Sequence, residues 1–459
     1  MVLRPETRLA SRGAGCPKAG GERGSCASFA TMTEQRAIEP LERPVDAEVQ
    51  VVGSKSYTNR ALIVAALAEG ASSLSGVLFS DDTRFMMQSL RELGVSIDAD
   101  EAACVAQVQG VAGHVRAASA RCFVGNAGTA ARFLPVVMAL GQGVYELDGV
   151  PRMRARPIGP LVEALTQLGV KVECLQKPNA VPLRVHGGSF RGGAVELPGN
   201  LSSQYISGLM MGAPYLCEGL QIDIRGELVS RPYLAMTVQI MRDFGVEVTC
   251  VDERRFVIPG GQRYRGQPYA VEPDASAASY FFAAAAITGG RVRVPRLGTR
   301  SLQGDRRLVH ILEQMGCTLT EGADFTELVG PEPGSLRGVE VDMADLSDVA
   351  QTLAVVAPFA QSPSRVRGIG FIRHKETDRV GAVVRELSRA GVRAEEEPDG
   401  FVVYPGEPQP AAIETYDDHR MAMSFALLGL VRPGIVIRDP GCVSKTFPGY
   451  FDVLETLRR

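Results

Sequence analysis

Cations recur beside small polar residues at points where the chain should turn into a helix. Gly53-Ser-Lys-Ser-Tyr-Thr-Asn-Arg60 leads from an extended stretch into an apolar segment. Backbone N–H groups at a helix start attract anions, and Lys55, Ser56 and Arg60 add charge and donors. The segment lacks the G-x-x-x-x-G-K spacing of a nucleotide P-loop. Gly125-Asn126-Ala-Gly128-Thr129-Ala-Ala-Arg132 repeats the arrangement. A cation so early in a helix opposes the dipole, a cost better explained by a ligand anion than by folding. Pro151-Arg-Met-Arg-Ala-Arg156-Pro157 holds three guanidinium groups, the side chain that grips phosphate and carboxylate bidentately. Ser202-Ser203-Gln204 and Ser230-Arg-Pro-Tyr233 supply neutral donors. Lys375-Glu376-Thr-Asp-Arg379, Asp417-Asp-His-Arg420 and Ser444-Lys445 complete the series. Singly, each reads as well as a helix cap or a solvated turn. Jointly, Lys55, Arg60, Arg132, Arg156, Arg379, Arg420 and Lys445 predict a cleft for several negative charges. Asp348, Glu376 and Asp418 stand among them, acids whose proton affinity such neighbours would tune for proton transfer.

The basicity is local. Lys and Arg number 49 against 52 Asp and Glu, a net charge of −3 over 459 residues, which excludes a nucleic-acid binder that works through overall positive charge. Apolar runs such as residues 280–287 fall far short of the ~20 residues a membrane span needs, so no membrane partner is expected. The nine Cys include no C-x-x-C pair and read as reduced, mostly buried small apolar side chains; no metal is expected. Residues 1–31 carry Arg4, Arg8, Arg12, Lys18 and Arg23 with no apolar stretch after them, so they are not a secretory signal. A disordered extension over residues 1–32 is expected, in a cytoplasmic protein, with plastid import through residues 1–31 as the alternative.

The elements that must position these turns repeat. Gly94, Gly169, Gly245, Gly316 and Gly391 each follow a helix-like segment and precede an alternating one. Glycine just past a helix is the left-handed cap that only it adopts without strain. Second, alanine-rich helices are predicted near residues 61–68, 131–140, 205–213, 277–287, 349–359 and 421–430, buried because they lack a polar face. Six copies of an α-β-α-β unit follow. The sixth lacks its last strand, and residues 47–52 are expected to complete it. Residues 53–272 are then one three-repeat domain and residues 33–52 with 273–459 the other, with crossings near Gly53 and near residues 272–273 and the site in the cleft between them.

Read together, G-S-K-S-x-x-N-R, G-N-A-G-T-A, P-R-M-x-x-R-P-I, S-S-Q-Y, D-A-S-x-A-S-Y-F, K-E-T-D-R, Y-D-D-H-R-M-A-M and K-T-F-P-x-Y-F closely resemble the 5-enolpyruvylshikimate-3-phosphate (EPSP) synthase family from about residue 38 to the C-terminus. The resemblance implies an α/β (α+β) enolpyruvyl transferase fold of two domains, each of three βαβαββ units. It implies transfer of the enolpyruvyl group of phosphoenolpyruvate to the 5-hydroxyl of shikimate-3-phosphate, without metal or organic cofactor, by a monomer inhibited by glyphosate. Lys55, Ser56, Arg60, Ser202, Ser203, Gln204, Ser230, Asp348 and Lys375 correspond to the shikimate-3-phosphate site. Lys55, Asn126, Gly128, Thr129, Arg156, Gln204, Glu376, Arg379, Arg420 and Lys445 correspond to the phosphoenolpyruvate site. Lys55, Asp348, Glu376 and Lys445 take the catalytic roles. Val52, Phe133 and the Phe371-Ile372 pair depart from common family residues; several members have Asn and Trp at the last two. The sister family that transfers enolpyruvyl to a UDP-sugar uses Lys-Asn where this chain has Lys55-Ser56. A non-catalytic anion-binding module on the same scaffold would not need Lys55, Asp348 and Glu376 together.

Overall fold

The computed structural model describes residues 34–458; the extension expected at residues 1–32, with Cys16 and Cys26, lies outside them. The five repeat glycines all sit at positive φ, between 75° for Gly391 and 113° for Gly316. A side chain there would be strained, so glycine stops each helix and turns the chain into the next strand. The alanine-rich segments are helices: Lys55–Leu67, Gly128–Leu140, Ser203–Gly212, Ala275–Thr288, Ala350–Val356 and His419–Gly429. In Ala275–Thr288 every residue but Ser276 is buried, which small side chains permit because backbones can approach closely on all sides.

Among the described residues there are five four-stranded sheets and one three-stranded sheet. Gly193–Pro198, Leu220–Arg225, Thr249–Val251 and Arg255–Ile258 with the helices Ser203–Gly212 and Arg231–Asp243 form a complete βαβαββ unit. Its first two strands run parallel, and each helix crosses between strands. One buried core is built wholly from residues between Tyr57 and Val271. The other is built from residues between Ile38 and Val51 and between Ala275 and Leu457. Where the chain passes between the cores, Ser54 N donates to Glu272 O and Asp274 N to Val52 O, both at short range.

The closing strands differ from expectation. Asp46–Glu48 does not complete the sixth unit; it pairs parallel with Arg291–Pro295 and opens the fourth sheet. Gln35–Ile38, which carries no chemistry in its sequence, pairs antiparallel with Ile435–Arg438 and supplies the third strand of the sixth. Pro268–Ala270 in turn joins Ala71–Ser75 in the first sheet. Each core thus borrows the strand that precedes the other's first helix. The cysteines also differ: Cys122, Cys317 and Cys442 are buried, but Cys104, Cys217 and Cys250 are exposed, and all the described ones are free thiols.

Candidate active site

The helix starts converge on the space between the two cores. Ser54 caps Lys55–Leu67, its hydroxyl accepting from Tyr57 N, and Lys55 N donates to Asp274 Oδ2 at 2.9 Å. The Lys55 ammonium is left facing inward, 3.3 Å from Asp82 Oδ2. From the far end of the chain Lys445 Nζ reaches the other oxygen of Asp82 at 2.6 Å and Asn126 O at 2.8 Å. Arg156 Nη1 donates to Asn126 O at 3.1 Å and to its Oδ1 at 3.2 Å, and lies 3.7 Å from Glu376 Oε1. Arg379 is forked: Nη2 lies 3.0 Å from Glu376 Oε2, Nε donates to Asp418 at 2.8 Å and Nη1 to Asp348 Oδ1 at 3.1 Å. Arg420 Nη2 and Lys375 Nζ meet Asp348 at 2.9 and 2.5 Å.

These side chains line a small cavity of about 80 Å³, walled by Lys55, Gly128, Thr129, Arg156, Ser202, Gln204, Asp348, Lys375, Glu376, Arg379 and Arg420. An adjoining space of about 60 Å³ adds Ser56, Arg60, Ser203 and Ser230. With Asn126 and Lys445 held as above, every site residue expected from the sequence is brought to one place. Their surroundings nevertheless differ. Arg60 is 1% exposed and already donates to Thr237, Ser207, Ser56 O and Tyr233 O. Arg132, expected to mark a ligand anion, instead donates to Pro157 O at 2.7 Å and to Gly128 O at 3.4 Å. Folding therefore accounts for its place, although it also touches the cavity. Of the three guanidinium groups at residues 152–156 only Arg156 points inward; Arg154 pairs with Asp148 and Arg152 holds Lys375 O. Ser230 is in the left-handed region at φ 59°, strain of the kind found where surrounding structure dictates geometry.

Sequence reasoning missed Asp82, which lies 2% exposed under both lysines, and Asp305; Asp274 and Tyr233 stood inside quoted motifs but were given no role at the site. Only the double acid Asp81-Asp82 at a helix start, favourable against its dipole, hinted at the first.

The charges decide protonation. Burial alone would raise the Asp348 carboxyl, but Arg420, Lys375 and Arg379 hold it well below its ordinary value. The same contest, won by Arg379, Arg156 and Lys445, holds Glu376 well below its own. Burial, then Arg420 and Lys55, pushes His419 far below the usual imidazole value, so it is neutral. Six cations, with Asp348 and Glu376 ionised among them, can fix a polyanion at several points and exchange protons with it.

A two-lobed, six-sheet α/β molecule with a cationic site between the lobes has the enolpyruvyl transferase fold, and the comparisons with known proteins agree. The family model for EPSP synthase (3-phosphoshikimate 1-carboxyvinyltransferase) matches residues 41–454. The 3-phosphoshikimate 1-carboxyvinyltransferase of Trichormus variabilis is 52% identical over 415 residues, 90% of this chain and 97% of that protein. That of Vibrio atlanticus is 45% identical over 430 residues, 92% and 99% of the two chains. The EPSP synthase structure from Acinetobacter baumannii superposes with a TM-score of 0.78 at 25% identity, covering 93% of this chain and 98% of that one. The chain belongs to the EPSP synthase family.

Proposed function

We propose that the protein transfers the enolpyruvyl group of phosphoenolpyruvate to the 5-hydroxyl of shikimate-3-phosphate, releasing phosphate. The observation that carries this reading is the placement of Glu376 within 3.0–3.9 Å of Arg379, Arg156 and Lys445, beside a second acid, Asp348, held by Lys375 and Arg420. Two polyanions repel; cations shared between them offset that repulsion and hold the reacting atoms together.

In the addition step the 5-oxygen bonds to C2 of phosphoenolpyruvate, Asp348 takes the hydroxyl proton and C3 gains a proton from Glu376. In the elimination step C3 returns its proton to Glu376, the C2–O bond to phosphate breaks, and the leaving phosphate, held by Lys55, Arg156 and Lys445, carries off the proton that Asp348 took. Glu376 is ionised in the empty site and must be protonated to donate. An anion that engages Arg379, Arg156 and Lys445 withdraws their charge from it and raises its proton affinity. Ser56, Arg60, Ser202, Ser203, Gln204, Ser230 and Lys375 serve shikimate-3-phosphate, and Asn126, Gly128, Thr129, Gln204 and Arg420 serve phosphoenolpyruvate. Phe371, where relatives have Asn, lies under Lys375 Nζ with its ring centre 5.5 Å away. It offers an aromatic face in place of a hydrogen bond. Glyphosate competes for the phosphoenolpyruvate half.

The two cores support domains at residues 53–272 and at 33–52 with 273–459; that the protein acts as a monomer in the cytoplasm is part of the same proposal. No helix among the described residues is long and apolar enough to cross a membrane. The test is phosphate release with both substrates, each omitted in turn, and with a UDP-sugar replacing shikimate-3-phosphate. Turnover only with the UDP-sugar, or binding of both ligands without phosphate release, overturns the proposal.

A further inference from the structure

Asp305 is a buried acid to which the mechanism above gives no task. It lies in the single turn Gly304–Arg307 and is 4% exposed. Its Oδ1 has no hydrogen-bond partner among the described residues, and its Oδ2 accepts from the Ser276 hydroxyl. That hydroxyl accepts from Arg420 Nη2 at 3.4 Å, and the same nitrogen donates to Asp348 Oδ2 at 2.9 Å. A guanidinium N–H, a hydroxyl and a carboxyl therefore form a chain from the cavity wall to Asp305. Ser276 is the one residue of its helix that is not buried, and it stands between the two.

The groups around Asp305 come from every neighbouring element. Asp274 and Ser276 open Ala275–Thr288, Asp348 lies in Ser347–Val349, Arg420 in His419–Gly429 and Tyr233 in Arg231–Asp243. Its own neighbours turn elsewhere: Arg306 to Glu321 and Arg307 to Asp345. His310 of the following helix faces Glu313 and Glu321. Arg420 is thus the cation closest in the network to Asp305, and it is shared with Asp348.

We propose that Asp305 is a positioning residue for the anion carried by Arg420: neutral, it leaves that guanidinium to substrate and Asp348; ionised, it draws on it through Ser276 and repels the incoming anion. This rests on the reading of the cavity as a phosphoenolpyruvate site. Burial and then Asp348 push the Asp305 carboxyl up to about 6, while Asp348 itself is held low. Two acids sharing one cation are driven apart in proton affinity. A raised acid is neutral below that value and ionised above it, so anion binding is strongest below about pH 6 and weakens as pH rises through it.

The experiment compares the full chain with D305N, which is neutral at every pH. Between about pH 5.5 and pH 8 the KM for phosphoenolpyruvate should rise at least about threefold more in the wild type than in the variant, with kcat profiles that stay parallel. Calorimetry of phosphoenolpyruvate binding in two buffers of different ionisation enthalpy, near pH 6.5, should show more proton uptake in the wild type than in D305N, which keeps only the uptake at Glu376. Phosphate release with superimposable KM profiles sinks this proposal and leaves the activity standing. That excess of proton uptake over D305N, without phosphate release, does the reverse. Should D305N fail to fold, S276A keeps the carboxyl and cuts the chain; a KM profile like that of the wild type then overturns the proposal, and a flattened one supports it.

Discussion

A Cβ placed on Gly128 would lie 2.7 Å from Arg156 Nη2. The glycine is helical and needs no special φ; what it provides is room for a guanidinium that also serves Asn126 and Glu376. Gly128→Ala should push the Arg156 fork by several tenths of an ångström. The expected result is a KM for phosphoenolpyruvate raised about tenfold, because small displacements of a positioning group are costly. Inhibition by glyphosate should weaken at least as much. Steady-state phosphate release in the presence and absence of glyphosate checks both.

Asp82 bridges two ammonium groups that come from opposite ends of the chain, Lys55 at 3.3 Å and Lys445 at 2.6 Å. As an amide it would keep its shape but cease to balance their charge or fix their direction. Asp82→Asn should lower kcat/KM by about tenfold or more, the scale of losing part of an electrostatic clamp. It should move Tm little, because Asp81 keeps a charge at the same helix start. A variant with near-normal turnover would show that the lysines orient themselves.

The repeat was legible because its signals are local. A glycine at positive φ ends a helix whatever surrounds it, and an alanine-rich stretch such as Ala275–Thr288 has no polar face to expose. The site was legible because helix starts with Lys, Ser or Asn carry their chemistry in a few residues. The closing strands were not. Asp46–Glu48 and Gln35–Ile38 are three and four residues long, and each finds its partner more than 240 residues away. Nothing in so short a segment fixes which edge it joins. Asp82 and Asp305 were missed for the same reason: their meaning lies in Lys445 and Arg420, far along the chain. The three-Arg run shows the converse limit. Its composition promised three anion-binding groups, and local geometry turns two of them to protein partners.

Stability should depend on pH through three groups held below their ordinary values. A depressed group contributes stability above its unfolded value, and that contribution is lost as pH falls through the folded value. For His419 the loss begins below about pH 6.5, where the unfolded imidazole takes a proton that the buried one refuses. For Asp348 and Glu376 it begins below about pH 4.5. Asp305, raised, acts in the opposite sense between these limits. Thermal melts of the empty protein should therefore show His419→Gln losing less Tm than the wild type between about pH 6.5 and pH 5, and Glu376→Gln losing less below about pH 4.5. Parallel curves would mean that other groups govern acid unfolding.

Arg60 separates binding from folding. It is at once a wall of the smaller cavity and a fully enclosed side chain that donates 2.8 Å to Thr237, 3.0 Å to Ser56 O and 3.2 Å to both Ser207 and Tyr233 O. Its guanidinium carbon also lies 5.4 Å from the centre of the Phe133 ring. Burial lowers its pKa to about 10, so it stays charged at neutral pH. Lysine would keep the charge and lose the fork that reaches these partners at once. Arg60→Lys should therefore cost about 2 kcal/mol of stability, from buried acceptors left without a donor. Arg60→Ala should cost more, adding a cavity beside Phe133. A residue that only bound substrate would show the opposite signature: a raised KM for shikimate-3-phosphate with Tm unchanged. Denaturant unfolding of Arg60→Lys, set against its KM for each substrate, distinguishes the two. An unfolding midpoint equal to that of the wild type would show that Thr237, Ser207 and the two carbonyls do not depend on this guanidinium.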